Sequence, residues 1–236
     1  LKAPYLRFHS KYNIHPFDPY NTFEWLMDLS DEKNIKSTFN FICCKLGNKY
    51  DAKYQAKDIR LKNLMKKINS RGHLIGIHPS YECFRNMNLL KNEVDYLRKI
   101  LKEENFDQEV EGGRMHYLRW RWPETPNALE FAGLKYDSTL GFADKPGFRC
   151  GTCHPYKMFD PLNQRILNII QKPLIFMECS LISPKYMGLG YGQGAYNYVS
   201  KLKDRCKLVD GEFTILWHNS HLRTKKDKEL YKYLIR

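Results

Sequence analysis

Apolar residues follow two different periods along the chain. Short runs rich in β-branched and aromatic residues, bounded by polar or glycine positions, predict β-strands. These runs lie at residues 37–44, 74–77, 109–113, 134–138, 173–182 and 212–217. Between them, apolar residues recur every three or four positions, which predicts helices. The helical segments lie at residues 21–33, 61–68, 90–101, 127–132 and 195–206.

The alternation of strands and helices predicts an α/β fold with a parallel sheet, because a crossover between parallel strands is long and usually helical. A chain of 236 residues can hold one large domain or two small ones. No internal repeat or low-complexity linker divides it, so we expect one domain over residues 1–236. In a barrel or a doubly wound sheet alike, binding residues lie at the carboxyl ends of the strands.

The composition is strongly basic, with 39 Lys and Arg against 26 Asp and Glu and a formal net charge of +13. Such a charge favours nucleic acid or another acidic polymer as a partner. However, the lysines are spread over predicted helix faces, and no helix-turn-helix or RNA-binding motif is present. We therefore expect a solvated basic surface and no nucleic-acid partner. No apolar run reaches the ~18 residues of a membrane span.

Cysteine usage favours a reducing compartment. The seven cysteines are odd in number and scattered, so they do not resemble a disulfide framework. The sequence "CGTC" at 150–153 is a lone pair without the second pair of a zinc ribbon. No signal peptide is visible, which predicts a cytoplasmic protein. The first residue is Leu1 rather than Met, and we expect the natural N-terminus to lie upstream.

Chemically active side chains stand at the ends of several predicted strands, and one, Glu178, stands within a predicted strand. In chain order they are His78, Arg114, His116, Asp137, Glu178, His218 and Asn219. Parallel strands would bring these residues to one rim of the sheet. The alternative is a set of unrelated core and surface histidines.

Imidazole and carboxylate groups are the ligands of zinc and similar divalent ions. A catalytic metal lowers the pKa of water and polarises a carbonyl group. A nearby free histidine could protonate a leaving amine, and an arginine could orient a carboxylate. This set of groups suits hydrolysis of an amide or an ester. The glycine-rich stretch at 188–194 lacks the Lys-Ser/Thr ending of a phosphate loop, so we interpret it as a mobile loop.

Several stretches of the sequence are similar to those of one enzyme family. They are "IKSTFNF", "GHLIGIHPSY", "GGRMHYLRW", "YDSTLGFAD", "GFRCGTCHPY" and "ILWHNS". Together they resemble the polysaccharide deacetylases of the NodB-homology class, and in particular the branch met in bacterial surface-polysaccharide gene clusters. The resemblance covers nearly the whole chain.

This resemblance implies a single-domain, distorted (β/α) barrel with parallel strands. It also implies a divalent metal held by one aspartate and two histidines, with zinc expected and cobalt, nickel or manganese as alternatives. His78 matches the first histidine ligand, Arg114 the orienting arginine and His218 the acid that protonates the leaving group. We expect Asp137 to join the catalytic groups. The residues expected to bind substrate are Trp217, Tyr81 and Glu178.

Two features depart from the family pattern. The position of the usual second histidine ligand, four residues after His78, holds Glu82, and we favour His116 as the ligand in its place. The aspartate-rich first motif is absent, so the chain is expected to be truncated at its N-terminus and to lack the first strand of the barrel. Asp18 is a candidate for the missing ligand, although its position also suits the cap of a helix.

The sequence therefore predicts a metal-dependent hydrolase that removes acetyl groups from an N- or O-acetylated glycan, in the biosynthesis or modification of a surface polysaccharide. The alternative is a barrel of the same fold that binds a glycan or a protein partner without catalysis. The sequence does not predict the oligomeric state.

Overall fold

The computed structural model describes residues 11–44 and 48–236, so Leu1 lies outside the described residues. The strands are β1 (Thr38–Phe41), β2 (Leu74–Ile77), β3 (Gly112–Gly113), β4 (Tyr136–Asp137), β5 (Tyr156–Asp160), β6 (Arg165–Gln171), β7 (Phe176–Met177) and β8 (Ile215–Leu216). The helices are α1 (Phe23–Glu32), α2 (Ile59–Ser70), α3 (Met87–Glu103), α4 (Glu124–Phe131), α5 (Glu178–Ile182), α6 (Gln193–Leu208) and α7 (Lys225–Leu234).

The strands form two sheets. The larger sheet has the order β1-β2-β3-β4-β6-β5, and the smaller consists of β7 and β8. All neighbouring strands are parallel except β5 and β6, which form an antiparallel pair at the edge. The predicted α/β fold with a mainly parallel sheet is thus confirmed.

The hydrogen-bond ladder of the larger sheet continues one residue beyond the strands. The backbone N–H of His78 donates to the carbonyl of Phe41 at 2.8 Å, and that of Arg114 donates to Ile77 at 3.1 Å. The N–H of Ser138 donates to Gly113 at 2.9 Å. These bonds fix the backbone at the carboxyl ends of β2, β3 and β4, where the candidate site lies.

The helices cover the sheet through apolar stripes. In α3, the buried residues Leu90, Val94, Leu97 and Leu101 recur at helical spacing and join the main hydrophobic core. The helix begins at Met87, and the side chain of Asn86 caps it by accepting from the N–H of Leu89 at 3.0 Å. Burial of this apolar stripe packs α3 against β2, and β2 leads directly into His78.

Several predicted strands are shorter in the structure, and those at 37–44, 109–113 and 134–138 reduce to β1, β3 and β4. The predicted strand at 173–182 is a strand only at β7, and α5 begins at Glu178. The apolar run is long because both the strand and the short helix are buried. The predicted strand at 212–217 likewise shortens to β8.

The apolar pattern of the sequence does not predict the β5–β6 hairpin or α7. In β6, the buried residues Leu167 and Ile169 alternate with the exposed Ile166 and Ile170. The exposed isoleucines therefore hide the two-residue period from which a half-buried strand is recognised. Most of α7 is charged, and its capping box of Thr224 and Asp227 is the local signal that marks its start.

A cavity of about 1120 Å³ lies between β1 and β8. It is lined by residues of both strands, including Asn40 and Leu216, and by His78, His116 and His218 at one end. Within residues 11–44 and 48–236, no strand pairs with the facing edges of β1 and β8. The expectation of a missing first strand stays a prediction.

No helix in the described part of the chain combines the length and the apolar character needed to cross a membrane.

The glycine at position 113 should be essential for the stability of the sheet. A Cβ atom there would lie 1.9 Å from the carbonyl oxygen of Ile77, in rigid backbone. We expect Gly113→Ala to lower the free energy of unfolding by at least about 1–3 kcal/mol in urea denaturation, as overpacking does. Gly194→Ala in α6 is the control, because a Cβ there meets nothing within 4 Å. Equal stability of the two variants would contradict the described approach of β2 and β3.

Candidate metal and acid–base site

His78 is held in one tautomer by the backbone. Its Nδ1 atom lies 2.6 Å from the carbonyl oxygen of Arg114. Because a carbonyl oxygen can only accept, Nδ1 carries the proton and Nε2 carries the lone pair. The residue follows β2 and lines the cavity between β1 and β8. His78 therefore presents an atom that can bind a metal.

His116 is held in the same way, but by a carboxylate. Its Nδ1 lies 3.1 Å from Oδ1 of Asp51, a side chain that is only 3 % exposed. The same Oδ1 accepts from the backbone N–H of Tyr81 at 2.8 Å. A carboxylate on the outer nitrogen of a histidine is the usual support of a metal-binding imidazole. Asp51 lies in an irregular loop, and no motif or period in the sequence marks it.

The rings of His78 and His116 meet edge-on, with 4.8 Å between their centroids. Burial, aided by the neighbouring His116 ring, lowers the pKa of His78 to about 3. Burial also lowers the pKa of His116, although Asp51 acts in the opposite direction. Both imidazoles are therefore neutral near pH 7, which is the form that binds metals.

Glu178 organises a second cluster of histidines. Its Oε1 atom lies 2.5 Å from Nδ1 of His218 and 2.7 Å from Nδ1 of His221. The backbone N–H of His218 also donates to Oε1, at 3.2 Å. Glu178 is fully buried, and its Oε2 atom has no hydrogen-bond partner among the described residues.

Within this second cluster, hydrogen bonding shifts the pKa values of Glu178 and His221 in opposite directions. Burial alone would raise the pKa of Glu178, but hydrogen bonds from His218 and His221 lower it to about 2. In turn, the hydrogen bond to Glu178 raises the pKa of His221 above its ordinary value. The ligand atoms of these three residues all lie within 4.8 Å of one another and could hold a metal ion. As found, however, both Nδ1 atoms bond to the carboxylate, an arrangement suited to proton transfer.

Arg114 and Asp137 stand on neighbouring strand ends. The Nε atom of Arg114 donates to the carbonyl of Ser138 at 2.8 Å, and burial lowers its pKa to about 10. The carboxylate of Asp137 accepts from the N–H of Thr139 at 2.7 Å and from its hydroxyl at 2.5 Å. Burial raises the pKa of Asp137 to about 6. These hydrogen bonds hold the side chains of Arg114 and Asp137 against residues 138 and 139, directly after β4.

The two alternative metal ligands, Glu82 and Asp18, each have other bonding partners. Glu82, in the segment that follows β2, pairs with Arg85 at 2.7 Å and with Arg119 at 3.5 Å. Asp18 lines the same cavity as His78, and its carboxylate accepts from the N–H of Tyr20 at 2.9 Å. Asp18 thus stabilises a turn ahead of α1, which begins only at Phe23.

The three residues expected to bind substrate make different contacts in the structure. Trp217 lines the cavity and donates from Nε1 to the carbonyl of His221 at 3.3 Å. Tyr81 stacks on Tyr50 beside His116. Glu178 holds His218 and His221 rather than facing open space. The sequence analysis did not single out His221, although it lies three residues after His218, within reach of the same carboxylate.

Comparison with known proteins identifies the fold. No protein-family model and no curated protein sequence matches the chain. A similar solved structure is described as "Crystal structure of Puue Allantoinase", with a TM-score of 0.58 and 13 % sequence identity. The match covers 92 % of this chain and 66 % of that one, so the chain spans about two thirds of that protein's length. The two proteins share a fold, and membership of the deacetylase family stays a prediction.

Replacing Glu178 by Gln should lower the pKa of His221, because the carboxylate that stabilises its imidazolium form is removed. The hydrogen bond to Glu178 raises the pKa of His221 in the folded protein. The pair therefore stabilises the fold below the unfolded value of about 6.5, and this contribution is lost as the pH rises through the folded pKa. An NMR titration of the imidazole ring measures the shift.

A matched control for this titration is Glu229→Gln, at an exposed position of α7. It should leave the pKa of His221 unchanged. An unchanged pKa in Glu178→Gln as well would show that the carboxylate does not control this histidine.

Proposed function

We propose that the protein is a metal-dependent hydrolase that removes acetyl groups from an N- or O-acetylated glycan during the synthesis or modification of a surface polysaccharide. The observation that supports it most is the pair of neutral imidazoles, His78 and His116, whose Nδ1 atoms are both engaged. They line one cavity together with His218, whose Nδ1 is held by a buried carboxylate.

The donor set fits a divalent metal, with zinc expected. Two imidazole Nε2 atoms, each fixed by an outer-shell acceptor, are typical of zinc sites. A bound metal would polarise the acetyl carbonyl and lower the pKa of a water molecule. Cobalt, nickel or manganese also accept imidazole ligands.

The chain's own residues would supply orientation and the proton. Asp51 and the carbonyl of Arg114 hold the two imidazoles in the ligating tautomer. With Nδ1 of His218 engaged by Glu178, a proton on Nε2 of His218 can pass to the nitrogen or oxygen that leaves the acetyl group. The buried carboxylate of Glu178 thereby fixes the orientation of the His218 ring that this role needs.

The comparison supports this proposal at a coarse level. The similar solved structure is named an allantoinase, which is a hydrolase that acts on C–N bonds. At 13 % identity, the likeness concerns the fold, and the glycan substrate follows from the sequence resemblance alone.

A second candidate function is a non-catalytic barrel that binds a glycan or a protein partner. One observation favours it. In the described ranges 11–44 and 48–236, no third His, Cys, Asp or Glu joins His78 and His116 in a cluster compact enough to hold an ion. A catalytic zinc site has about three protein ligands. Metal binding by the full-length protein separates the two functions.

We expect His78→Ala and His116→Ala each to weaken zinc binding by at least about 100-fold in the full-length protein, because each removes a ligand. Asp51→Asn should weaken it by about 10- to 100-fold, as loss of an outer-shell partner does. Isothermal titration calorimetry measures all three.

Glu82→Ala is the control for these variants, because Glu82 pairs with arginines. If Glu82→Ala abolished zinc binding and His116→Ala did not, the assignment of His116 would be wrong. Undetectable zinc binding by the full-length wild type would favour the non-catalytic function.

His218→Ala should retain zinc and lose turnover by about 10²- to 10⁴-fold, the usual contribution of a positioned proton donor. Acetate released from an N-acetylated oligosaccharide measures turnover, and metal analysis measures zinc. His154→Ala removes an exposed histidine outside the cavity and should change neither. Loss of zinc together with turnover in His218→Ala would make His218 a ligand instead.

A further inference from the structure

The three residues that follow His78, which we call the linking segment, connect it to His116. The carbonyl of Pro79, the first of them, accepts from the backbone N–H of His116 at 3.2 Å. The N–H of Tyr81, the last of them, donates to Oδ1 of Asp51 at 2.8 Å, and the same oxygen lies 3.1 Å from Nδ1 of His116. A movement of the linking segment would therefore shift His116 relative to His78.

The middle residue of the linking segment, Ser80, is bound at two atoms by one carboxylate. Its backbone N–H donates to Oε2 of Glu93 at 2.9 Å, and its hydroxyl donates to Oε1 of the same side chain. Both residues are 4 % exposed, so these bonds are shielded from water. Each oxygen of the carboxylate thus holds Ser80, which leaves the linking segment little freedom to move.

Glu93 interrupts the apolar stripe of α3. Its neighbours in the helix, Leu90, Val94 and Leu97, are all buried. Burial of a carboxylate is unfavourable unless hydrogen bonds offset it. Burial raises the pKa of Glu93, and the hydrogen bonds from Ser80 act in the opposite direction. An apolar residue at this position would continue the stripe without this cost, so the packing of α3 does not explain the glutamate.

We propose that Glu93 is a positioning residue for the candidate metal pair, and that it acts through Ser80 to hold His116 beside His78. This proposal rests on the metal pair of the proposed function and adds a carboxylate of α3 to the groups that set its geometry. Ligands of a metal must be held within about 0.5 Å of their productive positions. A loosened linking segment would therefore weaken metal binding although both imidazoles remain.

The test compares Glu93→Met with Glu93→Gln in the full-length protein. Methionine keeps the approximate volume of the side chain but offers only a weak acceptor, whereas glutamine can accept from the N–H of Ser80 and donate to its hydroxyl. We expect Glu93→Met to weaken zinc binding by about 3- to 10-fold in calorimetry, less than the roughly 10- to 100-fold of a direct outer-shell partner. Glu93→Gln should bind zinc as the wild type does.

A second measurement needs no metal. Hydrogen exchange of the metal-free protein, followed by NMR, reports the local opening of individual N–H groups. In Glu93→Met, the N–H groups of Tyr81 and His116 should exchange at least about 5-fold faster, because local opening becomes easier there. The N–H of Ile170, which donates to Lys135 in the sheet, should exchange as in the wild type. A general loss of stability would raise the rate at Ile170 as well.

Glu103→Met is the matched control, because Glu103 is an exposed glutamate of the same helix. It should change neither zinc affinity nor exchange. If Glu93→Met does not fold, as judged by circular dichroism, Ser80→Ala takes its place. That variant removes the hydroxyl bond to Glu93 and keeps the backbone bond, so we expect smaller changes in the same direction.

Three results would overturn the positioning role of Glu93. They are unchanged exchange at Tyr81 and His116 in the variant that folds, an equal rise at Ile170, and equal loss of zinc affinity in Glu93→Met and Glu93→Gln. Unchanged zinc affinity in Glu93→Met, where the wild type binds zinc, would overturn it too. Absence of zinc binding by the wild type would instead contradict the proposed function, and the exchange rates would then decide the role of Glu93.

Discussion

The candidate site depends on the hydrogen-bond ladder of the parallel sheet. The ladder runs past the last strand residues and fixes the backbone of His78 and Arg114, each through an N–H donated to the preceding strand. The carbonyl of Arg114 then fixes the His78 ring, so one strand end orients the side chain of the next. Gly113 permits the close approach of β2 and β3 that brings these two residues together.

Two histidine clusters differ in their electrostatics, and His78 and His116 of one and His218 of the other line the same cavity. At His78 and His116, burial outweighs the hydrogen bonds and favours the neutral ring. At His221, the hydrogen bond to the buried Glu178 outweighs burial and favours the charged ring. Neutral imidazoles suit metal ligation. Under the proposed function, His78 and His116 would hold the metal and His218, oriented by Glu178, would supply the acid in the same cavity.

The sequence predicts those site residues whose position directly after a predicted strand is visible from the local pattern. His78, Arg114 and His218 follow apolar strands, so their shared rim could be expected from parallel topology alone. Asp51 could not be expected, because it reaches His116 from a loop across 65 positions of sequence. Glu178 was placed inside a strand, since the buried helix that it begins has the same apolar composition as β7.

The central claim is that His78 and His116 bind one metal through their Nε2 atoms. A crystal structure of the full-length protein grown with zinc, with anomalous diffraction measured at the zinc edge, tests it most directly. The account predicts one strong peak at about 2.0–2.1 Å from both Nε2 atoms, while the two Nδ1 atoms keep their bonds to Asp51 and to the Arg114 carbonyl. A peak bound instead by Glu178, His218 and His221 would contradict it.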